Sequence, residues 1–261
     1  MKKRTFSAMV LLLILVLSVI ISSKLFSIIM LICAILGFNE LFSVKYKNRI
    51  KELDIIKIFA MLSVALITLN NIFYVLDTKT IFLFPLLLLS IPIIFYNNSE
   101  VYNITDCMYI LGSVYFLGFA FGNIVSLRSI NIYQCIYIFI ISFITDTYAY
   151  IGGMLIGRHK LTSISPKKTI EGSIIGTLMG VVVGTVYYYN VVGGLPLAKI
   201  IVLSFVLTII SEIGDLVFSS IKRYFGTKDY SNLIPGHGGI LDRFDSVIYV
   251  SLCMSLLLSI L

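Results

Sequence analysis

The chain has 261 residues, 59% of them apolar and 13% charged, with a mean hydropathy of +1.02 and a formal net charge of +7. Soluble domains run nearer 45–50% apolar and about 25% charged, so this composition excludes a disordered chain, a secreted disulfide scaffold and a soluble nucleic-acid binder. A membrane-spanning helix takes roughly 20 apolar residues, so the length holds about nine spans and no separate soluble domain of ordinary size. The expected fold is all-α: an integral membrane protein built as a polytopic bundle of about nine transmembrane helices.

The start, Met1-Lys2-Lys3-Arg4 followed by the apolar run from Val10 to Ile21, resembles a secretory signal. No small-x-small cleavage site follows, and a second apolar run begins around Leu25, so a retained anchor is expected. The predicted spans are 6–22, 25–43, 54–76, 80–96, 105–126, 130–151, 171–192, 197–218 and 245–261. With the N-terminus inside, fifteen Lys and Arg fall in the inner segments 1–5, 44–53, 152–170 and 219–244. Only Lys24, Lys79, Arg128 and Lys199 count as outer. That asymmetry predicts the N-terminus in, the C-terminus out, and the two long loops, 152–170 and 219–244, on the cytoplasmic face of the cell membrane. The basic balance then reports topology and contact with anionic headgroups, with no nucleic-acid partner expected. Cys33, Cys107, Cys135 and Cys253 each lie in an apolar run without metal-ligand spacing and read as small hydrophobes. Trp is absent, leaving 16 Tyr and 18 Phe for the interfacial belt.

Polarity is uneven. The first five spans hold almost no ionisable residue, whereas the last four enclose both long loops and several acids. This suggests an N-terminal transmembrane scaffold over 1–104 and a catalytic region over 105–261. The seventh span carries Gly172, Gly176, Gly180 and Gly184 at four-residue intervals, a stripe for close helix approach within the bundle or across a dimer.

The eighth span holds Glu212 and Asp215. An acid within the membrane costs roughly 2.5–3.5 kcal/mol on insertion scales and is a functional candidate by default; the alternative, for Glu212 more than for Asp215, is an interhelical ion pair or a snorkelling acid. Asp215, Ser219 and Lys222 fall at i, i+4 and i+7, on one helix face. Beyond them, Gly236, Gly238 and Gly239 allow backbone amides to approach an anion. Lys222, Arg223, Lys228 and Arg243 supply positive charge, Arg being able to grip phosphate bidentately. Asp242 and Asp245 open the ninth helix as acids suited to Mg²⁺. Together these residues form a phosphate-handling assembly.

The run from Ser219 to Asp245 resembles the signature of the phosphatidate cytidylyltransferases (CDP-diacylglycerol synthases). That signature is Ser-x-aliphatic-Lys-Arg, four residues, Lys-Asp, then a loop ending Pro-x-His-Gly-Gly and two residues before Asp-Arg-x-Asp. A second stretch, Asp146 to Tyr150 through Gly157-Arg158 to Ile164–Gly172, is also similar to the family. The resemblance covers the C-terminal half. It implies transfer of CMP from CTP to phosphatidate, giving CDP-diacylglycerol and pyrophosphate, by a Mg²⁺-dependent, dimeric, polytopic enzyme in the lipid bilayer, with K⁺ as a possible second ion. The family's paired metal aspartates match Asp215 and Asp242.

On this reading Asp215, Asp242, Lys222 and Arg223 are catalytic, with Asp146 and Asp245 as further metal candidates. Ser219, Lys228, Asp229, His237, Gly238, Gly239, Arg243, Lys167 and Lys168 bind substrate. Some assignments stay open. His237 either donates to a phosphate or shapes its turn, Asp146 joins the metal or pairs with a loop cation, and Asp229 meets the cytidine or braces Lys228. His159 reads as a solvated surface residue, and Ser165-Pro166 as a helix cap. The main rival is a transporter or channel, which accounts for the intramembrane acids but not for the glycine- and base-rich loop. A closer rival is a cytidylyltransferase acting on an ether lipid or a polyprenol.

Overall fold

A computed structural model describes residues 13–47, 49–73, 75–96, 101–233 and 238–260. Residues 13–21 are helical. The helices that follow are α1 (Ser23–Lys45), α2 (Asp54–Phe73), α3 (Thr78–Ser90), α4 (Pro92–Phe95), α5 (Ile104–Ile130), α6 (Ile132–Ile156), α7 (Ile170–Tyr187), α8 (Leu197–Tyr224) and α9 (Leu241–Ile260). Among the described residues there is no sheet, only an isolated bridge between Lys160 and Thr169.

Among the described residues, seven helices are long and apolar enough to cross a membrane: α1, α3 continued by α4, α5, α6, α7 with its terminal π turn, α8 and α9. Each matches a predicted span. Residues 6–12 of the expected first span lie outside the described residues and the rest of it is helical over 13–21, and the expected third is α2, a 20-residue helix that opens on Asp54. Four ends move by four residues or more. Helix α5 runs to Ile130 and α6 to Ile156, beyond the predicted stops at 126 and 151. Helix α8 runs to Tyr224, beyond the predicted stop at 218, and α9 begins at Leu241 instead of 245. Hydropathy falls before the helix does, because Ser219 and Lys222 continue the polar face of α8 in helical register. The stop comes at Gly226, whose φ of 67° allows Thr227 N to donate to Lys222 O at 2.9 Å and Gly226 N to Arg223 O at 3.0 Å. At 1.5 Å per residue α8 extends about 42 Å, longer than a hydrocarbon layer of about 30 Å.

The chain forms two compact units, residues 1–126 with 229–241 and residues 127–228 with 242–261. In the first, α1 buries Phe26, Met30, Phe38 and Phe42, and α2 buries Ile56, Ala60, Val64 and Ile67 at helical spacing. Gly118 of α5 faces Ile67, where a Cβ would come within 2.9 Å. This unit is not purely apolar. Asp106, in the first turn of α5, accepts from Tyr46 Oη and Lys45 Nζ, both at 3.0 Å, and Arg49 lies 4.0 Å away. Burial, then the Asp106 carboxylate, pushes the Tyr46 hydroxyl above its ordinary pKa. Glu40 of α1 is also buried.

In the second unit α7 packs on α6 and α8 through the glycine stripe, so the open choice between packing in the bundle and across a dimer resolves within the chain. A Cβ on Gly172 would sit 2.5 Å from Ala149 O, and one on Gly176 would sit 2.6 Å from Thr145 O. On Gly180 it would meet Thr145 Oγ1 and Thr208 Cγ2, both at 2.5 Å. Ile174, Leu178, Val182 and Val186 lie on the exposed side of α7, a face suited to lipid. The obstacle at Gly176 is backbone, which cannot rotate aside. Gly176→Ala is therefore expected to cost about 1–3 kcal/mol, read as a lower unfolding midpoint in detergent; an unchanged midpoint would show that the helices tolerate a wider approach.

Candidate active site

The site is built in the second unit from α8, the start of α9, the end of α6 and the loop before α7. That loop folds back on itself. Leu161 N donates to Lys168 O at 2.9 Å, and Ile170 N to His159 O at 3.0 Å. Glu171 fastens its base, accepting from Arg158 N at 3.1 Å and His159 N at 3.2 Å and lying 2.6 Å from His159 Nδ1. His159 is solvated, as expected, but it is also paired. The expected cap at Ser165-Pro166 is not there. Those residues form a turn in which Lys168 N donates to Ser165 O at 3.0 Å. The helix starts at Ile170 under Thr169, whose Oγ1 accepts from Gly172 N at 3.1 Å.

The folded loop delivers Lys168 to α8, with Nζ 2.6 Å from Asp215 Oδ2. Ser219 Oγ donates to Asp215 Oδ1 at 3.2 Å, the i, i+4 contact that the spacing predicts. Asp215 keeps 27% of its side chain exposed and stands in the half of α8 nearer the 219–244 loop. One turn deeper, Glu212 is buried and accepts from the hydroxyls of Ser173 and Thr177 on α7. It ties two helices together through hydroxyls.

Lys222 turns inward. Its Nζ is 2.7 Å from Asp242 Oδ1, and the two side chains are 10% and 3% exposed. Next to this pair, Asp245 accepts from Ser246 N at 2.9 Å, and Ser246 Oγ donates to Asp146 at 3.2 Å. The carboxylates of Asp146, Asp215 and Asp245 stand within electrostatic reach of one another, with Lys168 and Lys222 as the compensating cations. Low polarisability around them makes such repulsion strong. Lys167, Lys228 and Asp229 are exposed in the loops, and Arg223 and Arg243 are exposed at the adjoining ends of α8 and α9. Arg223 Nη1 donates to Thr227 O at 2.8 Å. His237 lies outside the described residues.

Of the three glycines expected to open the backbone to an anion, Gly236 lies outside the described residues and Gly238 has a φ of 82°. The amides that follow them meet a carboxylate of the chain itself. Ile240 N and Leu241 N donate to Glu40 Oε1 and Oε2, both at 2.9 Å, and Gly239 packs directly on that carboxylate. Glu40 and its third donor, Ser231, went unnoticed in the sequence. A lone acid inside an apolar run was the available signal.

The model of the cytidylyltransferase family matches residues 2–261. The chain belongs to this family. It is 34% identical over 267 residues to a phosphatidate cytidylyltransferase of Staphylococcus haemolyticus, covering 99% of each chain. It is likewise 34% identical to that of Staphylococcus saprophyticus over 99% of each. Against a Staphylococcus aureus counterpart the identity is 36% over 185 residues, 70% of each chain.

This cytidylyltransferase presents acids whose donors are all oxygen, the hard-ligand chemistry that suits Mg²⁺. Among the described residues no three His, Cys, Asp or Glu side chains are gathered tightly enough to form a ready-made metal cluster. The arrangement is instead two Lys–Asp pairs beside two further acids. The mutual repulsion of three carboxylates favours a bound cation, so the donor set fits a divalent metal.

Proposed function

We infer that the chain is a phosphatidate cytidylyltransferase, an integral membrane enzyme that makes CDP-diacylglycerol and pyrophosphate from phosphatidate and CTP. The full-length match at 34% identity to relatives of that name carries the reading, and the placement of Lys168, Asp215, Lys222 and Asp242 in one unit gives it a chemical site.

A phosphatidate oxygen attacks the α-phosphorus of CTP, and the bond from that phosphorus to the bridging oxygen of the β-phosphate breaks. The nucleophile is already ionised at neutral pH, so no strong base is required. The difficulty is electrostatic: two polyanions must meet and pyrophosphate must leave. Mg²⁺, held by Asp215 and Asp242 with Asp146 and Asp245 nearby, would neutralise phosphate charge, and K⁺ is the second ion that the family resemblance suggests. Lys168 and Lys222 are the ammonium groups that already touch these carboxylates, and they orient them. Arg223, Lys228, Arg243 and Lys167 offer exposed charge for triphosphate and lipid phosphate, with Ser219 fixing one oxygen of Asp215.

The predicted topology puts this site on the cytoplasmic side, with the N-terminus in and the C-terminus out. Glu40, near the loop end of α1, accepts from Ile240 N and Leu241 N, which supports placing segments 44–53 and 229–241 on one side. A homodimer is part of the same reading. Cysteines introduced in 219–233 should be labelled only by reagents that reach the cytoplasm; labelling from outside would overturn the orientation.

The deciding experiment is product formation by purified protein with labelled CTP, phosphatidate and Mg²⁺. Labelled CDP-diacylglycerol that disappears with EDTA and returns with Mg²⁺ is the expected result. No product from folded protein, with ether-linked and polyprenyl acceptors equally inert, would overturn the assignment.

A further inference from the structure

We propose that Glu40 is a positioning residue for cytidylyl transfer: from α1 it holds the backbone immediately before Asp242 and so sets where Asp242 stands. Its side chain is buried, at 3% exposure. Oε1 accepts from Ser231 Oγ at 2.7 Å and from Ile240 N at 2.9 Å, and Oε2 accepts from Leu241 N at 2.9 Å. The two amides are among the donors that a helix start leaves without an internal acceptor, and the helix dipole favours an anion there. The protein supplies that anion from a residue 200 positions earlier.

The surroundings are shaped for this contact. The three atoms nearest to a Cβ placed on Gly239 all belong to the Glu40 carboxylate, so a glycine is needed for the close approach. One helical turn before Glu40, Gly37 leaves room for Leu241, whose Cδ2 would lie 2.9 Å from a Cβ at that position. Gly37 and Glu40 thus form a cradle on α1 for residues 239–241. A buried carboxylate is costly unless its oxygens are satisfied, and an apolar side chain would serve simple packing. The charge is explained by what it holds: with these amides occupied, substrate phosphates are met by the Lys and Arg side chains. The inference rests on the reading of Asp242 as a metal- and phosphate-handling residue.

The test compares E40Q, E40D and S231A with the unaltered enzyme and D242N, all purified in detergent. Four quantities are read: unfolding midpoint, amide exchange at Ile240 and Leu241, kcat against KM for CTP, and half-saturating Mg²⁺. In E40Q one oxygen becomes an NH₂ that faces a donor. Exchange at the two amides should rise about tenfold or more. Because Asp242 is displaced, kcat should fall about tenfold or more and the Mg²⁺ requirement should rise, with little change in KM. E40D, which keeps the charge with a shorter reach, should fall between E40Q and the unaltered enzyme, and it reads the same quantities if E40Q does not survive extraction. S231A keeps both backbone contacts and should retain kcat within about twofold.

Faster exchange with an unchanged kcat and Mg²⁺ requirement would overturn the proposal. So would unchanged exchange, or a loss of activity that merely follows the loss of folded protein. D242N separates the two readings: full activity there removes Asp242 from the site, whereas inactive D242N beside fully active E40Q sinks the role of Glu40 alone.

Discussion

Asp242→Asn and Asp215→Asn should each lower CDP-diacylglycerol formation about a hundredfold or more, a loss of roughly 3 kcal/mol in transition-state stabilisation. Both changes keep the size of the side chain and remove the charge that would bind a divalent cation. Their effects on stability should differ. Asp242 is 3% exposed and pairs with a Lys222 side chain that is 10% exposed, so the neutral variant strands a buried ammonium. Asp215 and Lys168 are 27% and 23% exposed, and water screens what is left behind. D242N should therefore lower the unfolding midpoint clearly, and D215N hardly at all, while both abolish turnover. Near-normal turnover in either at saturating Mg²⁺ would remove that residue from the metal site.

Lys222→Met carries the second large effect. Removing one partner of a buried pair costs about 3–5 kcal/mol because the other charge stays behind, so K222M should be the least stable of these variants as well as inactive. Adding D242N removes the stranded carboxylate. The double variant K222M/D242N should then lose less stability than the sum of the two single losses, by an interaction energy of about 1–3 kcal/mol, and should remain inactive. Product release in the double variant would show that the pair is structural only. Additive losses of stability would show that the two side chains do not depend on each other in the folded protein.

Within one helix the sequence was a good guide. The i, i+4 relation placed Ser219 on Asp215, because α-helical geometry alone decides that contact. The i+7 relation put Lys222 on the same face but could not name its partner. Two turns separate it from Asp215 by about 10 Å, and its ammonium turns to Asp242 on another helix. The partner of Asp215, Lys168, arrives from a folded loop whose path depends on Glu171, Thr169 and backbone bonds that no spacing rule connects. The membrane spans were legible from hydropathy, but their ends were not, since α8 continues through polar residues and stops only where Gly226 can adopt a positive φ.

The glycine segment taught a different lesson. Exposed amides near glycines signal an anion and not which anion, so a phosphate and a buried glutamate leave the same trace in the sequence. The rule that singled out Glu212, an acid within an apolar run, applies equally to Glu40. Glu40 lies in the segment read as a transmembrane scaffold, where no partner for it was in view. Glu171 was legible as part of the second similar stretch, but its work of closing the loop base was not.

The bond from Glu40 to Leu241 has a consequence for biosynthesis. The two residues are separated by 201 positions. At about 5–20 residues per second, roughly 10–40 seconds of translation separate the emergence of the acceptor from that of its donors. During that interval α1 lies in the bilayer with a carboxyl group whose final partners have not been synthesised. The first unit therefore cannot be completed in the order in which it is made, and a nascent chain stopped before residue 241 should be a substrate for membrane quality control.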